Sequence, residues 1–435
     1  MAMLARALTD VKSNVSQFLP DHVIHDAARE VGHAYRDRKL GPVRTVLLLV
    51  LQLFAANASL AHARALGGYT FSVSALAQAR GRLPVALLRR VLAWLVARVV
   101  TGDGAGGPRV VLLDAFNVYA PDTPALRKAY RRPRQGKRSR CDYPQVRTVA
   151  VFDLASGLLL ARHHFRSDRH ESPQLPRLLD AALAAGVVRP GDVVVFDRGF
   201  VAYANLCLLV ARGVHVVARL AKGLHARRGT GRTRVARLGT GDTLVRWAKP
   251  RQRPPKGPTT PGEWAALPAE LSLRQLTVTA APGGAGHRSR RLTLVTSLTD
   301  AATHPAATIA GWYRRRWEVE TDVRHLKQTM NLEFLRARTP ANVERELLLR
   351  AIAYNLVRLA MLRSAELRGT ADDPGRVSFA DACRWLSLAA ATGVPLLALR
   401  VNPLRPRTSR PRQVKYRGKN YRVLTTKPAP QSRVA

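Results

Sequence analysis

The sequence predicts a mixed α/β protein: a sheet flanked by helices, interrupted by a β-rich segment and preceded by a helical region. Three observations predict it. Apolar residues recur at helical spacing up to about residue 105; short apolar runs then alternate with helical stretches as far as residue 219; and two long helical stretches follow residue 306.

Residues 1–105 read as helical because apolar positions return every three to four residues, as at Leu88, Val91, Leu92, Leu95 and Val96, with Val85 and Leu87 leading in. Basic residues punctuate the region: Arg36, Arg38, Lys39 and Arg44, then Arg80, Arg82, Arg89 and Arg90. The glycine-rich stretch 101–108 reads as a linker. Strands are expected at 110–113, closing at Asp114, at 148–152, closing at Asp153, and at 158–165 after the turn-forming Ala155-Ser156-Gly157. A helix over 175–185 leads to a strand at 192–196 that closes at Asp197, then a helix near 203–211 and a strand at 214–219. Three meandering strands followed by helix, strand, helix and strand suit a mixed sheet with helices packed on it.

From 221 to 290 Arg, Lys, Gly, Pro and Thr dominate, with strands expected at 243–247 and 274–279, which reads as a β-rich insertion. A strand at 291–297 returns to the core. Residues 306 to about 330 are expected to form one long helix, and 343–362 a second, amphipathic one. The tail from Arg400, basic and proline-bearing, is expected to be partly disordered. The chain thus divides into 1–105, 106–220, 221–290, 291–365 and 366–435, with no internal repeat.

Composition narrows the function. The chain carries 71 Lys and Arg against 29 Asp and Glu, a formal charge of +42. A polyanion offsets such self-repulsion, and counterion release makes nucleic acid the natural partner. The apolar run 46–56 is broken by Gln52 and falls short of the ~20 residues of a spanning helix, so no membrane role is expected. The first twenty residues lack a secretory pattern. Cys141, Cys207 and Cys383 have no metal-ligand spacing, and the cytoplasm is the expected compartment.

Asp114 and Asp197 close nearly all-apolar runs, VVLLD and VVVFD. That places both carboxylates at the sheet's carboxyl edge, where open α/β sheets bind ligands, although an Asp at a strand end also simply caps the next turn. The long helix carries Tyr313, Arg316, Glu320 and Lys327, which on a regular helix at roughly 100° per residue share an arc of about 60°. The plain alternative is a solvated stripe held by an Arg316–Glu320 pair. Three carboxylates suit a pair of hard divalent cations, and with DNA implied by charge the chemistry is phosphodiester cleavage or transfer.

The helix pattern Tyr313-x2-Arg316-x3-Glu320-x6-Lys327 resembles the Y-x2-R-x3-E-x6-K motif of a large group of insertion-sequence DDE transposases. The resemblance extends through DAFNVYAPDTP from Asp114, YPQVRTVAVFDLASG from Tyr143, GDVVVFDRGF from Gly191 and LLRAIAYNLVRLAM from Leu348, roughly residues 70–365. It implies a ribonuclease-H-like (retroviral-integrase-like) core with a β insertion in the interval of 320 − 197 = 123 residues, and a helical N-terminal DNA-binding domain. Asp114, Asp197 and Glu320 would then be the catalytic, metal-binding triad, holding two Mg²⁺ ions with Mn²⁺ as substitute. Tyr313, Arg316 and Lys327 would hold transposon-end phosphates or a distorted terminal nucleotide, and Arg198 is a further phosphate contact.

The implied partners are double-stranded DNA, both the transposon's terminal inverted repeats and the target, and a second copy of the chain in a DNA-bound homodimer at a bacterial nucleoid. Trp264 and Trp247 are the candidates for the family's base-stacking tryptophan, each weighed against a core role. Ala115-Phe116 departs from the small polar pair that many relatives carry after the first Asp. Asp153 reads as hairpin-turn chemistry; His163, His164 and His170 lack a completing ligand for zinc; and Trp312 and Trp317 read as packing residues. The rival functions are a metal-dependent nuclease of the same fold and a catalytically lapsed DNA-binding remnant.

Overall fold

The computed structural model describes residues 15–36, 39–66, 69–100, 107–133, 141–221, 231–280, 290–368, 374–392, 396 and 399–402. The linker expectation over 101–106 and the basic tail from 403 lie outside the described residues.

From Asp21 on, the described residues open with the helices α1 (Asp21–Glu30), α2 (Pro42–Phe54), α3 (Leu60–Leu66), α4 (Val73–Arg82) and α5 (Val85–Val100). Local chemistry sets their starts. Pro42 begins α2, where its missing N–H costs nothing, and the Ser72 hydroxyl accepts from Ala75 N–H at the start of α4. The apolar stripe of α5, including Leu87, Leu88, Val91, Leu95 and Val96, is fully buried.

The sheet follows: β1 (Val110–Tyr119), α6 (Pro124–Tyr130), β2 (Gln145–Asp153), β3 (Leu159–Arg166), α7 (Leu175–Ala184), β4 (Val193–Phe196), α8 (Tyr203–Ala211) and β5 (His215–Arg219). Then come β6 (Arg232–Gly239), β7 (Asp242–Ala248), α9 (Pro261–Ala266), β8 (Glu270–Ala280) and β9 (Arg290–Thr296). The nine strands among the described residues form one mixed sheet, ordered β3-β2-β1-β4-β5-β9-β8-β7-β6. β1–β2 and β2–β3 are antiparallel, β1–β4 and β4–β5 parallel, and β9 joins the two halves by pairing antiparallel with both β5 and β8.

Two strand expectations change. The first strand does not stop at Asp114. Its parallel pairing with β4 ends at Leu113, but antiparallel pairing with β2 continues from Asp114 to Tyr119, so Asp114 lies mid-strand. β6 had no expected counterpart, because RTRVARLG on the sheet edge is exposed from Thr233 to Leu238 and shows no apolar alternation.

The helix expected over 306–330 is interrupted. It forms α10 (Ala306–Arg315), α11 (Trp317–Arg324) and a π-helical turn at His325–Thr329. At Arg316 the bonding tightens to three-residue steps, with Arg316 N–H donating to the Tyr313 carbonyl and Val319 N–H to the Arg316 carbonyl. The last long helix, α12 (Pro340–Leu367), is not amphipathic: every residue from Glu346 to Met361 is buried. α2, α5, α13 (Phe379–Thr392) and β3 pack around it, so it has no solvent face to distinguish by sequence.

Polar residues on α12 are matched rather than exposed. Asn355 bridges both main-chain groups of Leu159, and the wholly buried Arg350 donates to the Asn331 and Phe334 carbonyls and to Glu346. No helix among the described residues is long and apolar enough to cross a membrane.

Candidate active site

The site is built where the parallel strands end. Register pairs Leu113 with Phe196 and Phe196 with Ala218, so Asp114, Asp197 and Arg219 stand one residue further on, side by side across β1, β4 and β5. Neighbouring strands lie about 4.8 Å apart, and equal register turns these side chains to one face. α10 packs on β4 and β5, and α11 on β1, which lays the helix carrying Tyr313, Arg316 and Glu320 across this row.

Neither aspartate serves as a mere turn cap. β1 runs on through Asp114, and Asp197 precedes the short helical turn Arg198–Phe200 with no side-chain capping bond. One Asp114 oxygen accepts from Ala115 N–H at 2.8 Å. Burial pushes the Asp114 carboxyl up to about 6; the Ala115 bond and the Arg316 charge oppose this, while the charges of Glu320 and Asp197 add to it. Asp114 therefore responds to both other carboxylates and to Arg316.

Arg316 sits at the joint between α10 and α11 with its side chain 8% exposed, and donates to Glu320 Oε1 at 3.1 Å. The pair anticipated from i,i+4 spacing is present, but it is not a solvated stripe. Burial works against the Arg316 charge, yet Tyr313, the bond to Glu320, Asp197 and Asp114 outweigh it and raise its pKa. Tyr313 is also buried; burial raises its pKa, against the pull of Arg316 and Arg219.

With that geometry in view, residues 105–356, more than half of the chain, match the family model of the transposase DDE domain. The chain belongs to the transposase DDE domain family. A curated relative, the transposase InsG for insertion sequence element IS4 of Escherichia coli (strain K12), is 30% identical over 325 residues. That alignment covers 71% of this chain and 65% of the relative, just under two thirds of its length. A solved structure, the piggyBac transposase synaptic complex with hairpin DNA, aligns at a TM-score of 0.44 and 10% identity, covering 88% of this chain and 80% of that one.

The remaining candidates lie as follows. Lys327 is half-buried on the π-helical turn, where the regular-helix arc no longer applies, and Arg198 is exposed beside Asp197. Trp247 and Trp264 are 3% and 8% exposed and belong to the core, with Trp264 packed edge-on against Tyr203 of α8. Asp153 is consumed by structure: it accepts from the Ser156 N–H and hydroxyl and from Arg109.

His164 lies between Arg162 and Glu344. Trp317, expected to pack, is 47% exposed, with the Arg316 guanidinium 5.3 Å from its ring centre. Arg219 is absent from the sequence candidates. The strand ending in VHVVAR carried the same signal as the two aspartates, a polar residue closing an apolar run.

Proposed function

We propose that the protein is a DNA transposase with a ribonuclease-H-like core, which cleaves the ends of its own mobile element and joins the resulting 3′-OH to target DNA. The observation that best supports this is the meeting of Asp114, Asp197, Glu320 and Arg316 at one sheet edge inside the matched domain. The order β3-β2-β1-β4-β5, a meander followed by parallel strands, supports the core assignment. The reading also agrees with the IS4 transposase as relative and with the charge of +42.

The donor set suits a hard divalent cation. Asp114, Asp197 and Glu320 offer only carboxylate oxygens, the donors such a cation takes, although as folded no three His, Cys, Asp or Glu among the described residues stand at metal-ligand spacing. Bound there, a pair of Mg²⁺ ions, with Mn²⁺ as substitute, supplies activation of the attacking oxygen and stabilisation of the leaving one. The chain's own residues position the DNA. Arg316 grips a phosphate by its planar fork, and Tyr313 braces it from the preceding turn. Lys327 and Arg198 add backbone contacts.

In cleavage the row at the sheet edge receives water as nucleophile, and in strand transfer the freed 3′-OH. Residues 1–105 and the insertion 221–290 hold the element's inverted repeats. The core spans 106–220 and 291–365, followed by the C-terminal segment 366–435. Two copies act on paired ends, in the cytoplasm at the nucleoid.

The test is incubation with duplexes carrying the DNA that flanks the protein's own coding sequence, in Mg²⁺, with the cut ends mapped. Breaks with 3′-OH termini at a fixed position on each flank are expected. Cuts scattered without regard to the flanks would contradict the reading.

A further inference from the structure

Arg316 is an unusual neighbour for three acidic groups that are to share a cation. Its terminal nitrogen donates to Glu320 at 3.1 Å, while its Nε is buried with no hydrogen-bond partner. Burying a guanidinium N–H without an acceptor is costly; the buried Arg162 and Arg350 also leave Nε unpartnered, and what sets Arg316 apart is its place beside Glu320, Asp197 and Asp114. Among the described residues no three His, Cys, Asp or Glu side chains stand at metal-ligand spacing. As folded, the counter-charge of Glu320 is the guanidinium.

We infer, building on the transposase reading, that Arg316 is a latch on the third carboxylate. In the DNA-free protein it keeps Glu320 as its own partner. A DNA backbone phosphate that enters the fork satisfies Nε, takes over the guanidinium and releases Glu320 to join Asp114 and Asp197. Phosphate is the fitting anion because two of its oxygens match the parallel N–H groups of the fork. Arg316 lies at the joint between α10 and α11, and the exchange is one of side-chain partners.

DNA and divalent cation then bind cooperatively, each tightening the other by the same factor. Cation affinity without DNA is held low, which keeps the nuclease chemistry silent until an end is docked. A charge-assisted bond of this kind corresponds to roughly ten- to a hundredfold in affinity.

The test measures Mn²⁺ binding to the full chain by electron paramagnetic resonance. It is done with and without a duplex that stops at the element's tip and leaves nothing to cleave. DNA should tighten Mn²⁺ binding of the wild-type chain roughly tenfold or more. Arg316→Gln should bind Mn²⁺ tighter by a similar factor without DNA, and gain little when DNA is added. Loss of a positive charge alone would also tighten Mn²⁺, so the decisive comparison repeats the substitution in a Glu320→Gln background.

The latch predicts a much smaller effect there, since nothing is left to release; an equal effect in both backgrounds overturns it and leaves the triad standing. No Mn²⁺ binding by any form, with or without DNA, would instead remove the metal-site reading and the latch with it. Arg316→Lys guards against a folding artefact. It keeps the charge, and in a chain that melts like wild type it should lose most of the coupling between DNA and Mn²⁺.

Discussion

Asp114 and Asp197 stand at the same level of two adjacent parallel strands, one residue beyond the last registered pair, Leu113 with Phe196. Burial above all holds the Asp114 carboxyl up at about 6; the Ala115 bond and Arg316 oppose it, and the charge of Glu320, then that of Asp197, add to it. A cation between strand ends relieves both effects, and the account turns on that relationship.

Cation binding should therefore stabilise the fold. Saturating Mg²⁺ or Mn²⁺ should raise the melting temperature of the wild-type chain, adding about 2.7 kcal/mol of stability at a hundredfold excess over Kd. Asp114→Asn and Asp197→Asn should lose the rise. Scanning calorimetry with and without the ion checks this, and an equal rise in Asp114→Asn would separate that residue from the cation.

Arg316→Lys should slow end cleavage roughly ten- to a hundredfold, because the ammonium cannot reproduce a two-point grip on phosphate. Lys327→Ala should also slow it, with melting little changed. Parallel cleavage and melting assays decide: a lowered melting temperature with normal cleavage would make the helix face structural.

Acid should weaken the contact between the first helices and the sheet. Burial pushes His164 down to about 4, with Arg162 adding to the shift and Glu344 opposing it. Its folded pKa lies below the unfolded value near 6.5, so the folded form binds fewer protons. The stability this preserves is full above about pH 6.5 and is lost as pH falls toward 4, by about 3 kcal/mol at most. Urea midpoints at pH 7.5 and about pH 4.5 for wild type and His164→Gln give the measurement. The variant should gain on wild type at the lower pH, and a gap that does not change with pH would refute the assignment.

Arg350→Leu should cost about 3–5 kcal/mol, since it removes the charge partner of the buried Glu346, leaving only the Arg336 and Ala337 N–H donors, and frees two carbonyls of the segment after the π-helical turn. Denaturant unfolding tests this. A loss within about 0.5 kcal/mol, as at an ordinary surface site, would mean that Arg350 anchors nothing.

Much of this arrangement was legible in the sequence. The apolar runs before Asp114 and Asp197 locate the two adjacent parallel strands, and the spacing of Tyr313, Arg316 and Glu320 locates the helical segment that crosses them. What stayed hidden depends on partners. β1 continues past Asp114 because β2 pairs with it, which no local pattern reveals. α12 reads as amphipathic because Arg350 and Arg358 look like surface residues, yet carbonyls, Glu346 and Asp322 bury them. The break at Arg316 and the exposure of Trp317 were equally out of view. A one-residue change of bonding step leaves no compositional trace.

The central claim is that Asp114, Asp197 and Glu320 act as one site, and strand cleavage of the element's own ends tests it most directly. Asp114→Asn, Asp197→Asn and Glu320→Gln keep side-chain volume and remove one charge each. With the wild-type chain alongside in Mg²⁺, each variant should still shift the end duplex in a gel yet produce no detectable cut strand. Near-normal cleavage by any one of the three would take that residue out of the site and contradict the account.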